Sequence, residues 1–318
     1  MRVEIFEVIQ PGPLTTVQDL GRYGYQQYGV PVSGAMDNYA LRVANLLVGN
    51  NEGEAGLEIT LLGPQLRLLE DTVVAITGAD LSPMLNNNPL PMWAAVMVGC
   101  GATISFHWPK RGCRSYLAVA GGIDIPKVMG SSSTYVKSHI GGVEGRPLRA
   151  GDCLKSGKAR PGILERKLAP QYVPEYRDQS ELRVILGPQD DYFTEKGIRD
   201  FLHSEYTIST EADRVGYRLQ GPRIEHKGGA DIISDGIPLG AVQVPGDGLP
   251  IVLMADRQTT GGYAKIATVI TVDVPKLAQA KPGDKVRFWQ TTEEKAHQAL
   301  RECEQTIYTL EHCIQQNH

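Results

Sequence analysis

Polar side chains of several kinds follow one another in residues 256–263, which read Asp-Arg-Gln-Thr-Thr-Gly-Gly-Tyr. The apolar runs 250–255 and 266–272 on either side are typical of buried strands. The Gly-Gly pair allows a turn that brings the backbone close to a ligand. The stretch therefore predicts either a site for a small polar substrate or a turn whose Asp and Thr side chains bond their own backbone.

Residues 15–24 form a second loop of similar composition, with Gln18, Asp19 and Arg22 among hydroxyls and glycines. A surface ion pair between Asp19 and Arg22 would contribute little stability. Because two such similar loops are hard to attribute to chance, we interpret this one as a second site loop.

Further polar residues lie within apolar or glycine-bearing segments. Glu58 lies in an alternating strand, where an outward charge is the default and an inward acid at a cleft is the alternative. Arg214 and Arg218 lie beside a glycine and Tyr217, in either a salt-bridged turn or a clamp for a planar carboxylate. Gln243 lies inside a short apolar strand and must find partners there, either as structural glue or as a reader of a substrate amide.

The composition excludes several classes of protein. With 318 residues, 42% hydrophobic and 21% charged, the chain has room for two domains of usual size. A formal net charge of −4 gives no basic field for nucleic acid or an anionic membrane. We find neither a membrane-spanning apolar run nor a signal-peptide core. Five scattered cysteines without a Cys-x-x-Cys pair predict reduced thiols in a cytoplasmic protein and no metal site.

Short alternating runs separated by 35 glycines and 20 prolines predict a mainly β fold with few helices. An apolar stripe over residues 36–47 predicts a helix that is capped by Ser33 and ended by Gly49. A second helix is predicted over residues 190–202. A third follows a capping box at residues 291–294, and its apolar seam is expected to pack within the same chain.

The polar, turn-rich stretch 161–180 is typical of a linker. It would separate an N-terminal domain, residues 1–160, from a C-terminal domain, residues 181–290, with the helix 291–318 following. The glycine- and serine-rich stretch 129–152 is either a phosphate cradle or a mobile loop, although it carries no established nucleotide-binding motif.

Motifs of a known family occur in order along the chain. They are VQDLGR at 17–22, SGAMD at 33–37, ANLLVG at 44–49, LEIT at 57–60, RSYLAVAGGID at 114–124, RVGYRLQG at 214–221, QVP at 243–245 and DRQTTGGY at 256–263. The chain resembles the family of the C subunit of 5-oxoprolinase. This family is similar to the allophanate hydrolase subunit 2-like proteins, to the carboxyltransferase domain of urea carboxylase, and to an antagonist of a sporulation-kinase inhibitor.

The resemblance implies two cyclophilin-like β-barrel domains plus a C-terminal helix. It also implies ATP-dependent conversion of 5-oxoproline to L-glutamate with two partners, which resemble the A and B subunits of 5-oxoprolinase. ATP and Mg²⁺ would be bound mainly by a partner. No Met-Lys-Met motif occurs, so no covalently attached biotin is expected. Two alternatives stay open, a biotin-dependent carboxyltransferase acting on urea or another amide, and a non-catalytic protein that antagonises a histidine-kinase inhibitor.

Activating an amide requires donors for its carbonyl oxygen and an acceptor for its N–H, in a place that excludes water. We expect Gln243 and Gln258 to orient the amide, Asp19 or Asp256 to accept from its nitrogen, and Arg257 to act in catalysis. The further substrate-binding residues expected are Gln18, Arg22, Glu58, Arg214, Tyr217, Arg218, Thr259 and Tyr263. In this scheme an arginine holds the ring carboxylate or a developing phosphorylated oxygen, and the two tyrosines wall the pocket.

Overall fold

The computed structural model describes residues 3–159 and 166–316, with side chains up to residue 313. Contacts divide the chain into two units. The first comprises Met1–Arg22, Ser33–Tyr176 and Thr306–His318, and the second comprises Tyr23–Val32 and Arg177–Gln305. Of the expected linker, residues 161–165 lie outside the described part, and residues 166–176 group with the first unit.

Two antiparallel sheets make up most of the first unit. Their strands are β1 Val3–Gln10, β2 Leu14–Gln18, β3 Gly56–Thr60, β4 Gln65–Leu68, β5 Thr72–Asp80, β6 Met84–Leu85, β7 Asn88–Pro89, β8 Ala95–Val98, β9 Thr103–Ser105, β10 Arg111–Val119 and β11 Cys153–Ser156. One sheet has the order β11-β1-β4-β9-β6-β7 and the other β2-β3-β10-β5-β8. Asp19 follows β2 directly, so the sheet that contains β2 positions the predicted site loop at residues 15–24.

Helix α1, Asn38–Leu47, packs on β5 and β10 of the first unit. Its apolar stripe is buried, as predicted. The predicted cap is wrong, because the side chain of Asp37 accepts the N–H of Ala40 (3.0 Å) whereas Ser33 lies before the helix with a φ of 56°. Gly49, with a φ of 74°, follows the end of the helix as expected.

A closed barrel forms the second unit, in the order β12-β19-β16-β17-β14-β13-β20. The elements of this part of the chain are β12 Gln179–Leu186, α2 Glu195–His203, β13 Glu205–Ile208, β14 Gly216–Gln220, β15 Asp231–Gly236, β16 Ala241–Gln243, β17 Ile251–Leu253, β18 Thr260–Tyr263, β19 Lys265–Val269, α3 Val274–Ala278, β20 Lys285–Gln290 and α4 Glu293–Gln316. Strands β15 and β18 form a separate two-stranded ribbon.

Two helix boundaries differ from the predictions. Helix α2 begins at Glu195 with Thr194 as its cap, because residues 190–192 form a separate 3₁₀ turn. In α4 the backbone N–H of Lys295 donates to the hydroxyl of Thr292 (3.4 Å), so Thr292 caps the helix in place of the predicted Thr291, and the lysine at 295 cannot complete a capping box. The seam of α4 does pack within the chain, since Ile307 and Leu310 join the buried core of the first unit.

The prediction of a mainly β fold with few helices and a C-terminal helix is confirmed. Four α-helices occur in the described part of the chain, and the second unit closes into a seven-stranded barrel. None of the described helices is both long and apolar enough to cross a bilayer.

Candidate functional site

In the first unit, the Asp19 carboxylate is buried and binds residues 131–134, which we call the serine loop. Its Oδ1 accepts the hydroxyl of Ser131 (2.6 Å), the hydroxyl of Ser133 and the backbone N–H of Gly21 (2.8 Å). Its Oδ2 accepts the backbone N–H of Ser132 (2.6 Å). These donors use about four lone-pair sites, which is the capacity of a carboxylate. The structure therefore assigns Asp19 an anchoring role in place of the expected acceptance of a substrate N–H.

Arg22 is also buried and contacts the serine loop. The Nη2 of Arg22 donates to the carbonyl oxygen of Ser133, and Ser131–Thr134 are buried. A Cβ at Gly141, whose φ is 68°, would lie 2.1 Å from the Ser133 oxygen, so only glycine allows this approach. The loop is thus neither an open phosphate cradle nor an unattached segment, and Arg22 packs inside it.

Gln18 lies wholly inside the first unit. Its Nε2 donates to the hydroxyl of Thr16 (3.0 Å) and to the carbonyl oxygen of Thr134 (3.1 Å). Its Oε1 is buried and has no hydrogen-bond partner among the described residues. A side chain closed to solvent in this way joins β2 to the serine loop and presents no polar atom to a dissolved substrate.

Glu58 corrects the default expectation of an outward charge, because it is buried. Its Oε2 accepts the hydroxyl of Tyr116 (2.7 Å) and the backbone N–H of Met36 (2.8 Å), and its Oε1 lies 3.8 Å from the Nε of Arg114. Burial, followed by the charge of Glu58, raises the pKa of Tyr116. Since β3 lies between two other strands and is buried on both faces, alternation along it does not separate core from solvent. Glu58 fixes the start of α1 and faces no cleft.

In the second unit, Arg214 and Asp256 form a forked ion pair. The Nε of Arg214 lies 2.9 Å from Oδ2 and its Nη2 3.0 Å from Oδ1, with only 7% and 6% of the side chains exposed. The backbone N–H of Asp256 also donates to the carbonyl oxygen of Arg214 (2.8 Å). The salt-bridged turn is therefore the observed arrangement, and both charges are taken up by each other instead of by a substrate.

Two neighbours on β14 also lie away from a shared pocket. The hydroxyl of Tyr217 is buried and lies 3.3 Å from the carbonyl oxygen of Ala280. The side chain of Arg218 is 56% exposed and pairs with Glu211 at 3.2 Å. Because successive side chains of a strand point to opposite faces, Tyr217 faces the core and Arg218 faces solvent. Neither position supports the expected substrate contact.

Arg257 differs from Arg214 because it is buried without an acid. Its Nε donates to the carbonyl oxygen of Ile237 (2.9 Å) and its Nη1 to that of Met254 (3.3 Å). No carboxylate pairs with it among the described residues, and its Nη2 donates to no described atom yet stays accessible to solvent. Burial lowers the pKa of the guanidinium. The second unit thus holds a largely desolvated cation with a free donor group.

The two amides expected to orient a substrate lie side by side over Gly261. A Cβ placed on Gly261 would lie 3.0 Å from the Nε2 of Gln243 and 3.6 Å from the Nε2 of Gln258. Gln243 is buried and makes one long hydrogen bond, to the carbonyl oxygen of Tyr263 (3.4 Å), while Gln258 is exposed. The missing side chain of Gly261 therefore allows both amide groups, and the Cδ1 of Ile237 at 2.6 Å from the Cβ position, to approach the backbone closely.

The ribbon of β15 and β18 carries the remaining predicted residues. The carbonyl oxygen of Thr259 accepts the N–H of Ile237 (3.0 Å), so Thr259 extends the ribbon and links it to the partner of Arg257. Tyr263 is partly exposed, at the end of the ribbon opposite Asp231. Its ring is available at the surface as the expected wall.

Lys265 was missed from the sequence. It is 1% exposed, and its Nζ lies 3.2 Å from the Oδ2 of Asp235, which is 56% exposed. The hydrogen bond from Lys265 is the main cause that lowers the pKa of Asp235. Lys265 pairs with Gln243 between β16 and β19, and Asp235 pairs with Gly261 in the ribbon. The available signal was a lysine within the apolar run Ala-Lys-Ile-Ala, where a charge needs a partner.

We call Arg257, Gln243, Gln258, Gly261 and Lys265 the Arg257 cluster. It combines two buried cations with two amide groups that approach the backbone of Gly261. Cations hold a carboxylate, and amide groups both donate to a carbonyl oxygen and accept from an N–H. Among the described residues, no three His, Cys, Asp or Glu side chains lie close enough to hold a metal ion. The cluster suits a small molecule that carries both a carboxylate and an amide.

Known proteins resemble this chain over most of its length. The C subunit of 5-oxoprolinase from Escherichia coli (strain K12) is 41% identical over 298 residues, covering 94% of this chain and 95% of that protein. The C subunit of 5-oxoprolinase from Haemophilus influenzae is 36% identical over 300 residues, covering 94% and 96%. The crystal structure of Kluyveromyces lactis urea carboxylase matches with a TM-score of 0.91 at 32% identity, covering 97% of this chain and 29% of that one.

The family of this chain follows from its match to a family model. The family model described as carboxyltransferase domain, subdomain A and B, matches residues 28–290. That range includes the whole Arg257 cluster and most of both units. The chain therefore belongs to the family of carboxyltransferase domains built from subdomains A and B.

Proposed function

We propose that this chain is one component of an ATP-dependent 5-oxoprolinase that converts 5-oxoproline to L-glutamate in the cytoplasm, together with partners that resemble the A and B subunits of that enzyme. Two relatives named as its C subunit support the proposal, because they match nearly end to end. The structural observation that carries it is Arg257, a buried cation with no acidic partner in the described part of the chain.

5-Oxoproline carries a carboxylate on a five-membered lactam, and Arg257 supplies the complementary charge. Burying a charge without a partner is costly, so a desolvated guanidinium favours an anionic ligand. Its planar fork matches a carboxylate better than an ammonium would. The free Nη2 of Arg257 is the group that reaches the carboxylate in this scheme.

Gln243 and Gln258 complete the recognition of the lactam. One amide group donates its N–H to the lactam oxygen, and the other accepts the lactam N–H through its carbonyl oxygen. The Nε2 groups of Gln243 and Gln258, which both lie near Gly261, are the donors available to the oxygen of 5-oxoproline. Tyr263 shields the site from water at its exposed side.

ATP and Mg²⁺ belong mainly to a partner protein in this proposal, and no step on this chain runs through them. Their chemistry is the activation of the lactam for hydrolysis. The contribution of this chain is to bind the lactam, orient its amide and keep water away until the complex is complete.

Reconstitution tests this function directly. We expect ATP hydrolysis that depends on 5-oxoproline only when this chain is combined with both partners. Dependence on urea and a biotinylated partner would instead select the carboxyltransferase, an alternative that the similarity to urea carboxylase favours. If no amide stimulates hydrolysis in any combination, the partner-binding alternative takes its place.

Substitution of Gly261 by alanine tests the location of the site. The added methyl group would lie 2.6 Å from the Cδ1 of Ile237 and 3.0 Å from the Nε2 of Gln243, so it would displace both side chains and misplace the amide group assigned to the lactam. We expect kcat/KM for 5-oxoproline to fall about 10²-fold, the effect of misplacing reacting groups by about 1 Å.

Gly262 provides the matched control. A Cβ there would meet its nearest atom, the carbonyl oxygen of Ile232, at 3.4 Å, which is an ordinary contact. Gly262→Ala should therefore retain nearly all activity. Equal kcat/KM values for the two variants, measured in the reconstituted complex, would show that the lactam does not bind at the amide groups beside Gly261.

A further inference from the structure

We propose that Lys265 binds and polarises the carbonyl oxygen of the substrate amide, with Asp235 as a counter-ion that the substrate displaces. This inference rests on the proposed function, because it assigns a group to the lactam in the same cluster. No covalent bond forms or breaks in the step. The lactam oxygen replaces a carboxylate oxygen as an acceptor of the ammonium N–H.

The hydrogen bonding of Lys265 is incomplete. An ammonium group has three donors. The only described acceptor of its Nζ is the Oδ2 of Asp235, at 3.2 Å, although the side chain is 1% exposed. Burying an ammonium costs several kcal/mol unless its donors are satisfied. Lys265 therefore has donors available for a ligand oxygen.

Asp235 neutralises Lys265 only partly, because the two residues differ in exposure. The carboxylate is 56% exposed, so water screens its attraction for the buried ammonium. The forked pair of Arg214 and Asp256 is the contrasting case, since both members are buried. Displacing the Asp235 carboxylate from Lys265 should require little free energy, because this carboxylate is already solvated and stays hydrated when it moves away.

The strand registers place Lys265 beside the amide group of Gln243. Lys265 pairs with Gln243, and cross-strand neighbours have Cβ atoms about 5 Å apart. Asp235, to which Lys265 donates, pairs with Gly261 on the ribbon. Gln243 and Asp235, the two partners of Lys265, thus both neighbour Gly261. A cation at this position strengthens the pull on a carbonyl oxygen beyond what two neutral amides supply.

Two partial substrates separate the contributions of the two cations. 2-Pyrrolidinone has the lactam but no carboxylate, and cyclopentanecarboxylate has the carboxylate but no lactam. Their dissociation constants are measured by calorimetry with the reconstituted complex, so the result does not depend on turnover. We expect Lys265→Met to weaken 2-pyrrolidinone at least about tenfold, which is the loss of one charged hydrogen bond. Binding of cyclopentanecarboxylate should stay within about twofold.

Asp235→Asn distinguishes binding from a structural role. If Lys265 serves the substrate, removing its competitor should tighten 2-pyrrolidinone. If the pair only holds the ribbon, Asp235→Asn and Lys265→Met should weaken it alike, and the proposal fails. Lys276→Met, which changes an exposed lysine on α3, is the control and should bind both probes as the wild type does.

Other outcomes also decide the matter. Unchanged affinity of Lys265→Met for 2-pyrrolidinone, or no binding of this probe by the wild-type complex, overturns the proposal. If Lys265→Met unfolds, Lys265→Gln is measured in its place with thermal denaturation as the check. A wild-type complex that turns over urea and not 5-oxoproline would refute the proposed substrate, while selective loss of lactam affinity at Lys265 would still support the assigned contact.

Discussion

Arg257→Ala is expected to abolish 5-oxoproline turnover in the reconstituted complex while leaving the fold intact. The described partners of Arg257 are the carbonyl oxygens of Ile237 and Met254, so its removal orphans no buried acid. The expected cost in unfolding free energy is then about 1–3 kcal/mol, the range for unsatisfied buried polar groups. The loss of kcat/KM should reach about 10³-fold or more, because a substrate carboxylate would enter the site unpaired.

Arg257→Lys and Arg218→Ala are the comparison variants for this result. Lysine keeps the charge but cannot form the fork, so it should restore only part of the activity. Arg218 faces solvent beside Glu211, and its loss should leave kcat/KM near the wild-type value. Cyclopentanecarboxylate affinity should fall with turnover in Arg257→Ala. Near-normal turnover by Arg257→Ala would exclude this residue from the site.

Breaking the ion pair of Arg214 and Asp256 should produce the largest loss of stability. Arg214→Ala leaves a buried carboxylate without its forked partner, and such an uncompensated charge costs about 3–5 kcal/mol. Asp256→Ala should cost a similar amount, because it leaves the guanidinium buried instead. Denaturant unfolding, followed separately for each transition since the chain has two units, measures both changes.

A double-mutant cycle shows whether the two charges act on each other. We expect the double variant to be no less stable than either single variant, since most of the cost comes from the orphaned partner. The exposed pair of Arg218 and Glu211 provides the comparison, with a coupling of about 0–1 kcal/mol. Additive losses at Arg214 and Asp256 would contradict the pairing and would return both residues to the set of substrate contacts.

These predictions assign opposite roles to charged residues that look alike in the sequence. Asp256 and Arg257 are adjacent in the sequence. Asp256 nevertheless forms an ion pair with Arg214, 42 positions away, whereas Arg257 has no acidic partner in the described chain. Asp19 likewise accepts hydrogen bonds from serines more than a hundred positions away. Conversely, Lys265 lies directly before the apolar run 266–272, which predicted only a strand, and it proves to be a buried cation of the cluster.

The sequence by itself determined the mainly β fold, helix α1, the two polar loops after strands and the resemblance to a family whose model matches residues 28–290. It could do so because hydrophobic periodicity, glycine turns and motif order are local properties of a chain. It also singled out Arg257, Gln243 and Gln258. It did not show that the carboxylates of Asp19, Glu58 and Asp256 are occupied by hydrogen bonds and ion pairs inside the protein.

Only the tertiary structure decided which polar groups are satisfied and which are available to a ligand. The free energy of a charge depends on its burial and on partners brought close by strand pairing, and neither quantity is encoded by neighbouring residues. Gly261 illustrates this, because it matters only through the amide groups of Gln243 and Gln258, which the fold brings close to it. A polar loop becomes a candidate site where the fold leaves donors without acceptors.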